Sequence, residues 1–253
     1  MQVDESRAVI EPRRGRHEET LPSSAIFVFT PGDVEIYLNL FPERPHLSHK
    51  IFLSNVYVGT YQGTRIAMAG PMLGAPQSVM VLEKLIALGV HSVLAVGWCG
   101  SLQSHVAIGD IVLPAGAISE EGTSRHYPTP GRLPGPSQEM LDPLRRRLLE
   151  DGLRVHEGLV WSTDAPFRET AGKILAYQRQ GVLAVEMEAS ALFAVSCFRS
   201  VRTALAMVVS DDLSSLEWVH GFRKADFLLS REKVAAGVLD AASAAGGGGQ
   251  GRS

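Results

Sequence analysis

The stretch APQSVMVLEKLIALGVHSVLAVGWCGS, Ala75 to Ser101, decides the class of fold. Its first half places Val79, Leu82, Leu85 and Ile86 on one face of a helix over Ala75 to Leu88, and Gly89 supplies the natural stop. Its second half, Val93 to Val96, is short, apolar and β-branched, as a strand covered on both faces must be. It runs into Gly97 and Gly100, where backbone can approach a ligand closely. A helix followed by a buried strand with a Gly-rich end is the repeating unit of a sheet covered by helices.

The same alternation extends in both directions. Upstream, Ile26 to Phe29 reads as a strand that Pro31-Gly32-Asp33 turns at once, and Ile51 to Val58 and Thr64 to Ala69 flank a hairpin connection over Gly59 to Gly63. Downstream, Ser137 caps a helix carrying Leu141, Leu144 and Leu148 that ends at Gly152. Val155 to Trp161 and Thr203 to Val209 are further strands, with a helix over Ala189 to Phe198 between them. No repeat of fixed period interrupts this pattern. The expectation is one α/β domain over 23–244, a disordered arm over 1–22 rich in both charges, and a Gly-rich disordered tail over 245–253.

Composition narrows the function classes. A chain of 253 residues with 45% hydrophobic content can bury a core without staples. A formal charge of -3 and a pI near 6.2 give no field that would collect nucleic acid or an acidic membrane. The run Arg145-Arg146-Arg147 is therefore read as a solvated helix face, and the partner as a small molecule. Cys99 and Cys197 share no CxxC or Cys/His spacing, which argues against a zinc site and a disulfide framework and for a reducing, cytoplasmic compartment. No apolar run is long and charge-free enough for a membrane span or a signal peptide.

Chemistry is expected where strands end. Glu186 and Glu188 bracket Met187 after the apolar Val182 to Val185; they share a side if the strand continues, and a helix beginning at Glu186 would part them. Their competing role is to complement the dipole of the following helix. Asp211 and Asp212 follow a buried-looking strand, an expensive place for a carboxylate without a task, although Ser210 and Asp212 can also cap the next segment. Two carboxylates from separate elements suit cleavage of a glycosidic bond. One stabilises the oxocarbenium-like charge and holds sugar hydroxyls, and the other acts as acid toward the leaving group.

Six motifs in order carry a resemblance to a known family: Pro31-Gly32-Asp33, Gly59-Thr60-Tyr61-Gln62-Gly63, Val96 to Ser101, Gly109-Asp110-Ile111-Val112, Val185 to Ala189 and Val209-Ser210-Asp211. From about Ile26 to Ala241 the chain resembles the nucleoside phosphorylases of the purine nucleoside and uridine phosphorylase type, with the hydrolytic methylthioadenosine nucleosidases as cousins. The resemblance implies a central mixed, twisted β-sheet flanked by helices, and phosphorolysis of a nucleoside to free base and pentose 1-phosphate. It implies no cofactor and no metal, inorganic phosphate being a co-substrate. It also implies a homodimer or a trimer of dimers.

By the same resemblance Glu188 holds the ribose hydroxyls, Met187 packs on the sugar and Glu186 supports them. Asp211 is the acid toward a departing purine, while Phe167 and Trp98 are placed against the base. Gly32 and Gly97 offer backbone amides to phosphate. The phosphate arginines of the family are missing, since Ile36 and Ala95 stand at their positions and Trp98 at that of a hydroxyl residue. Lys50, lent across a dimer interface, and Arg168 are the candidate replacements, with Arg65 behind them. The loop Asp164 to Glu169 lacks the Gln and Arg spacing of uracil-reading relatives, which favours a purine. A nucleosidase using water and a catalytically silent nucleoside-binding protein are the competing readings.

Overall fold

In the computed structural model the described residues are 8–129 and 133–247. The elements run β1 (Ser24–Val28), α1 (Pro31–Leu40), β2 (His46–Ile51), β3 (Ser54–Tyr61), β4 (Thr64–Gly70), α2 (Gly74–Ala87), β5 (Ser92–Ser101), β6 (Ile111–Glu120), α3 (Gln138–Glu150), β7 (Val155–Thr163), α4 (Ala171–Arg179), β8 (Ala184–Glu186), α5 (Ala189–Arg199), β9 (Arg202–Asp212), β10 (Val219–His220) and α6 (Ala225–Gly247). The strands form one mixed sheet in the order β10-β9-β6-β7-β8-β5-β1-β4-β3-β2. Because β9 also pairs with β5, the strands β5, β9, β6, β7 and β8 close into a ring, and β1 to β4 extend from it as an open wing.

Period two explains the core. On β1, Ala25 and Phe27 enter the apolar layer beneath α2 and α5, while Ile26 and Val28 enter the opposite layer with α1, α3 and α6. Both faces are thus covered, so the strand reads as an unbroken apolar run. On α2, Val79, Leu82 and Leu85 are buried as the helical face requires, whereas Ile86 packs at its edge. Gly89 ends this helix at φ +109°, a left-handed conformation that costs glycine least.

Glycine also sets the spacing of β1 and β4. A Cβ at Gly70 would stand 2.3 Å from the carbonyl oxygen of Val28, and no rotamer can move backbone aside. Gly70→Ala is expected to cost about 1–3 kcal/mol, read as a lower denaturant midpoint with an unchanged slope.

Four local expectations change. Pro31-Gly32-Asp33 is the first turn of α1, with Pro31 where its missing N–H costs nothing. Ser137 sits at the head of α3, but its hydroxyl oxygen accepts from the Thr203 amide and joins α3 to β9 instead of capping its own helix. The arm expected to be disordered over 1–22 is described from residue 8. From there it lies against α2 and α5, where Lys84 binds the Arg13 carbonyl and Glu18, Arg199 binds Glu11, and the Leu21 amide donates to the Leu88 carbonyl. The tail expected from residue 245 begins later, because the Ala-rich turn Ala241 to Ala245 carries α6 to Gly247; residues 248–253 lie outside the described residues.

Of the arginine run, Arg145 pairs with Asp142 and Glu157, and Arg147 with Asp151 and Asp240. Their charge is largely answered within the fold. Among the described residues, no helix is long and apolar enough to cross a membrane.

Candidate active site

Strand register assembles the site. Gly100 of β5 lies opposite Val185 of β8 and Asp211 of β9, and Ser162 of β7 lies opposite Glu186. Segments distant in sequence therefore meet at one edge of the ring. Gly100 has to be small there, since a Cβ would approach Leu213 to 2.5 Å and the Asp211 carboxylate to 3.1 Å.

Glu186 and Glu188 have different partners, although neither a strand continued to Glu188 nor a helix begun at Glu186 is found: α5 begins at Ala189. β8 ends at Glu186, whose Oε2 accepts from the amides of Glu188 and Ala189 at 2.7 Å each, while the Ser162 hydroxyl donates to Oε1. Glu186 thus satisfies orphan donors at the start of α5, a supporting role. Burial raises its carboxyl above the ordinary range against the pull of these donors. Glu188, at the N-cap of α5 and only 7% exposed, turns toward the wing, where its Oε1 accepts from the Gly74 amide at 2.6 Å. Burial first, and then the charge of Glu186, push the Glu188 carboxyl up as well.

Two adjoining cavities open on these groups. One, of about 430 Å³, is lined by Phe29, Thr30, Met72, Trp98, Met187 and Glu188 among others. The second, of about 440 Å³, is lined by Phe167, Glu169, Asp211, Trp218 and Phe222 among others. Trp98, Glu186 and Met187 belong to both and form the wall between them. Each is of the size that accepts a fragment of a small ligand, and together they suit a ligand of two joined moieties.

Asp211 is held from two sides. The Ser210 hydroxyl donates to Oδ1 at 2.6 Å and the Trp218 indole N–H to Oδ2 at 2.9 Å. Trp218 arrives there because β10 folds back on β9, pairing His220 with Asp211. Phe222 packs next to Trp218 and His220 and roofs the cavity. Glu169 has no side-chain hydrogen bond among the described residues, and burial followed by the charge of Asp211 lifts it to about 7. Its carboxyl is therefore poised to take or give a proton near neutral pH.

The anion end differs most from expectation. Gly32 lies in the first turn of α1, and the guanidinium of Arg231, from α6, packs against it. Asp33 of that turn accepts from Arg231 at 2.6 Å, from the Trp98 indole N–H at 2.8 Å and from Thr30. Arg231 also stacks on Trp98, 5.0 Å from the ring centroid. Gly97 is crowded by Phe29, whose ring would stand 2.6 Å from an added Cβ. Lys50 is exposed on β2 and lines neither cavity of its own chain. Arg168 lies on a short 3-10 turn, Pro166–Arg168, and stays outside the lining of the cavity to which its neighbours Phe167 and Glu169 contribute. Phe167 itself is 99% exposed, at the rim.

Sequence reasoning missed Glu169, Trp218, Phe222 and the Asp33–Arg231 pair. Asp33 and Arg231 are 198 positions apart, and no local pattern joins them. A half-signal existed for Trp218, an aromatic residue in the short segment that follows Asp211 and Asp212.

A closed ring of strands with carboxylates gathered at one edge, beside two adjoining cavities, defines an α/β enzyme-like scaffold for a small ligand of two moieties. The sequence profile of the phosphorylase superfamily matches residues 24–243, and the chain belongs to this family, that of the nucleoside phosphorylases. It is 30% identical over 154 residues to a guanosine phosphorylase of Halorubrum lacusprofundi, a match covering 61% of this chain and 64% of the relative. It is 31% identical over 159 residues to a DeoD-type purine nucleoside phosphorylase of Clostridium novyi, covering 62% and 68%. The fold is shared with purine nucleoside phosphorylase of Toxoplasma gondii (TM-score 0.84, 19% identity, 96% of this chain and 99% of that one). It is shared also with uridine phosphorylase of Vibrio fischeri (TM-score 0.80, 22% identity, 92% and 98%).

Proposed function

We propose that the chain cleaves the N-glycosidic bond of a purine nucleoside, with phosphate as the pentosyl acceptor that the names of its relatives imply. The observation that carries this reading is the placement of Glu188 and Asp211 on separate elements, each opening on one of two cavities with a common wall. Ribose lies against Glu188 and Met187, and the base against Asp211, Trp98 and Phe167. Glu188 accepts from the sugar hydroxyls and, once ionised, stabilises the oxocarbenium-like charge. As the bond breaks, its electron pair goes to the base. A proton from the cavity shared by Asp211 and Glu169 goes to the base nitrogen. Glu186 fixes the start of α5 and so positions Glu188.

A purine is favoured by the polarity of the base cavity. Its charged side chains are carboxyls, Glu169, Glu186 and Asp211, and two uracil carbonyls would face acceptors there. The test is release of free base from guanosine, inosine, adenosine and uridine in the presence of phosphate. Purine nucleosides are expected to exceed uridine by at least about tenfold in kcat/KM. Calorimetric binding of nucleosides without any base release would identify a silent binding protein instead.

The working form is a homodimer or a trimer of dimers. Phe52, Leu53, Met80 and Phe198 are exposed, with Leu53 at 85%, and a second copy would cover them. Lys50, Arg168, Gly32 and Gly97 remain the family-derived candidates for phosphate. The enzyme works without a cofactor or metal, in a reducing cytoplasm, and apart from nucleic acid and membranes.

A further inference from the structure

Glu121, just past the end of β6, is a carboxylate only 5% exposed that lines neither cavity. Donors of the protein itself surround it. Oε1 accepts from the Ser119 and Ser190 hydroxyls at 2.8 Å each, and Oε2 from the amides of Thr123 and Ser124 at 2.5 and 3.0 Å. Burial alone would raise this carboxyl, but the donors of Ser124, Ser119 and Ser190 outweigh it and hold it below the ordinary range. Closing its own turn explains the bonds to Ser119, Thr123 and Ser124. It does not explain Ser190, which lies 69 positions on, in the first turn of α5, and whose hydroxyl has Glu121 as its partner. From Ser190 a line of bonds leads to the site. The Ser190 amide donates to the Ser162 hydroxyl oxygen at 2.9 Å, and that hydroxyl donates in turn to Glu186. Glu186 holds the amides of Glu188 and Ala189, and Glu188 reaches across to Gly74. The same loop touches the base side as well, where the Gly122 amide donates to Asp164 at 2.8 Å, at the head of the segment that carries Phe167 and Glu169.

We propose that Glu121 is a positioning residue for Glu188: by holding the Ser190 hydroxyl it fixes the first turn of α5, at whose head Glu188 meets the sugar. This rests on the reading that Glu188 acts on a nucleoside, and adds to it a group that touches no substrate. Glu188 is the N-cap of α5, so its carboxyl moves with the turn that follows it. Misplacing a reacting group by about 1 Å can cost 10²-fold in rate, and a loosened turn at this point would misplace the charge opposite the breaking bond.

The test uses the full chain as wild type, Ser190→Ala, Glu121→Ala, Glu121→Gln and the double variant of the two alanine changes. Base release is followed with phosphate and the purine nucleoside that wild type cleaves fastest. Ser190→Ala removes one hydroxyl and should lower kcat by about tenfold, with KM changed by less than about threefold. Glu121→Ala should lower kcat by about 10–10². Glu121→Gln should recover most of that loss, since its oxygen can take the Thr123 and Ser124 amides while its NH₂ donates to the Ser119 and Ser190 hydroxyls, which can turn to accept. The two alanine losses should combine to clearly less than their product, because both cut one link. Hydrogen exchange at the Glu188 and Ala189 amides should quicken by about tenfold in Ser190→Ala. A wild-type kcat in Ser190→Ala, or losses that multiply in the double variant, overturns the proposal and leaves Glu121 closing its own turn. Should Glu121→Ala fail to fold, Ser190→Ala and its exchange rates decide. If wild type releases no base, the cleavage reading fails by itself, and unchanged exchange at Glu188 and Ala189 in Ser190→Ala would still sink the positioning role.

Discussion

Glu188→Gln is expected to lower kcat/KM for a purine nucleoside by about 10²–10³ while leaving the protein more resistant to heat. The two effects have one cause. The carboxyl is buried beside Glu186, and its ionised form, needed opposite developing positive charge, is the form that the fold disfavours. Its pKa in the folded chain lies above the unfolded value, so its contribution to stability is fully present below the unfolded pKa and is lost as pH rises through the folded one. Glutamine keeps an oxygen for the Gly74 amide and has no charge to bury. The gain in Tm over wild type should therefore be near zero at about pH 4 and grow as pH rises toward 8. Calorimetry across that range, beside steady-state kinetics, checks both halves. A thermal midpoint that falls at every pH would mean that the carboxylate is satisfied in a way its surroundings do not account for.

Asp211→Asn is expected to reduce kcat by about 10²–10⁴ with little change in KM for a purine nucleoside. Its interaction strengthens as the base departs, so the loss falls on turnover. Asparagine can still accept from Ser210 and Trp218 through one oxygen, so the side chain should hold its place. It removes the negative charge beside Glu169, whose carboxyl should fall from about 7, so that the group placed to give the base its proton is less often protonated. A residual rate whose pH dependence shifts to lower pH would report that fall. An equal loss with uridine would remove the argument from purine chemistry.

Much of the fold was legible in the sequence, and so were several of the residues that line the two cavities. Hydrophobic period located β1, β4, β5, β7, β9, α2, α3 and α5 because each is covered on a definite face, as Val79, Leu82 and Leu85 are on α2, whereas α1, β2, β6 and α4 were not picked out. Asp211 stood out as a candidate because a carboxylate at the end of an apolar strand is costly without a function, and Glu188 because of the motif around Met187; the structure sets each in the lining of one of the two cavities. Pairings between distant segments were not legible. The Asp33–Arg231–Trp98 group draws on α1, β5 and α6, and only the folded chain brings them together. The role of Glu186 turned on where β8 stops, within a residue or two, and strand ends are where period alone is weakest. Trp218 depended on β10, a strand of two residues, too short to leave a pattern.

The ring formed by β5, β9, β6, β7 and β8 has a consequence for how such a chain can diversify. Its five strands have no free edge among themselves, so a register slip in one would have to be shared by all, and inherited variation there is penalised. The segments that rise from the ring are coupled less: Asp164 to Glu169 lies outside the strands, and Leu213 to Phe222 is tied back only through its ends and the two residues of β10, so both can change chemistry while Glu188 stays in place. A lineage built on this plan can exchange the group it removes from a sugar, or the acceptor it delivers the sugar to, by editing loops over an unaltered frame.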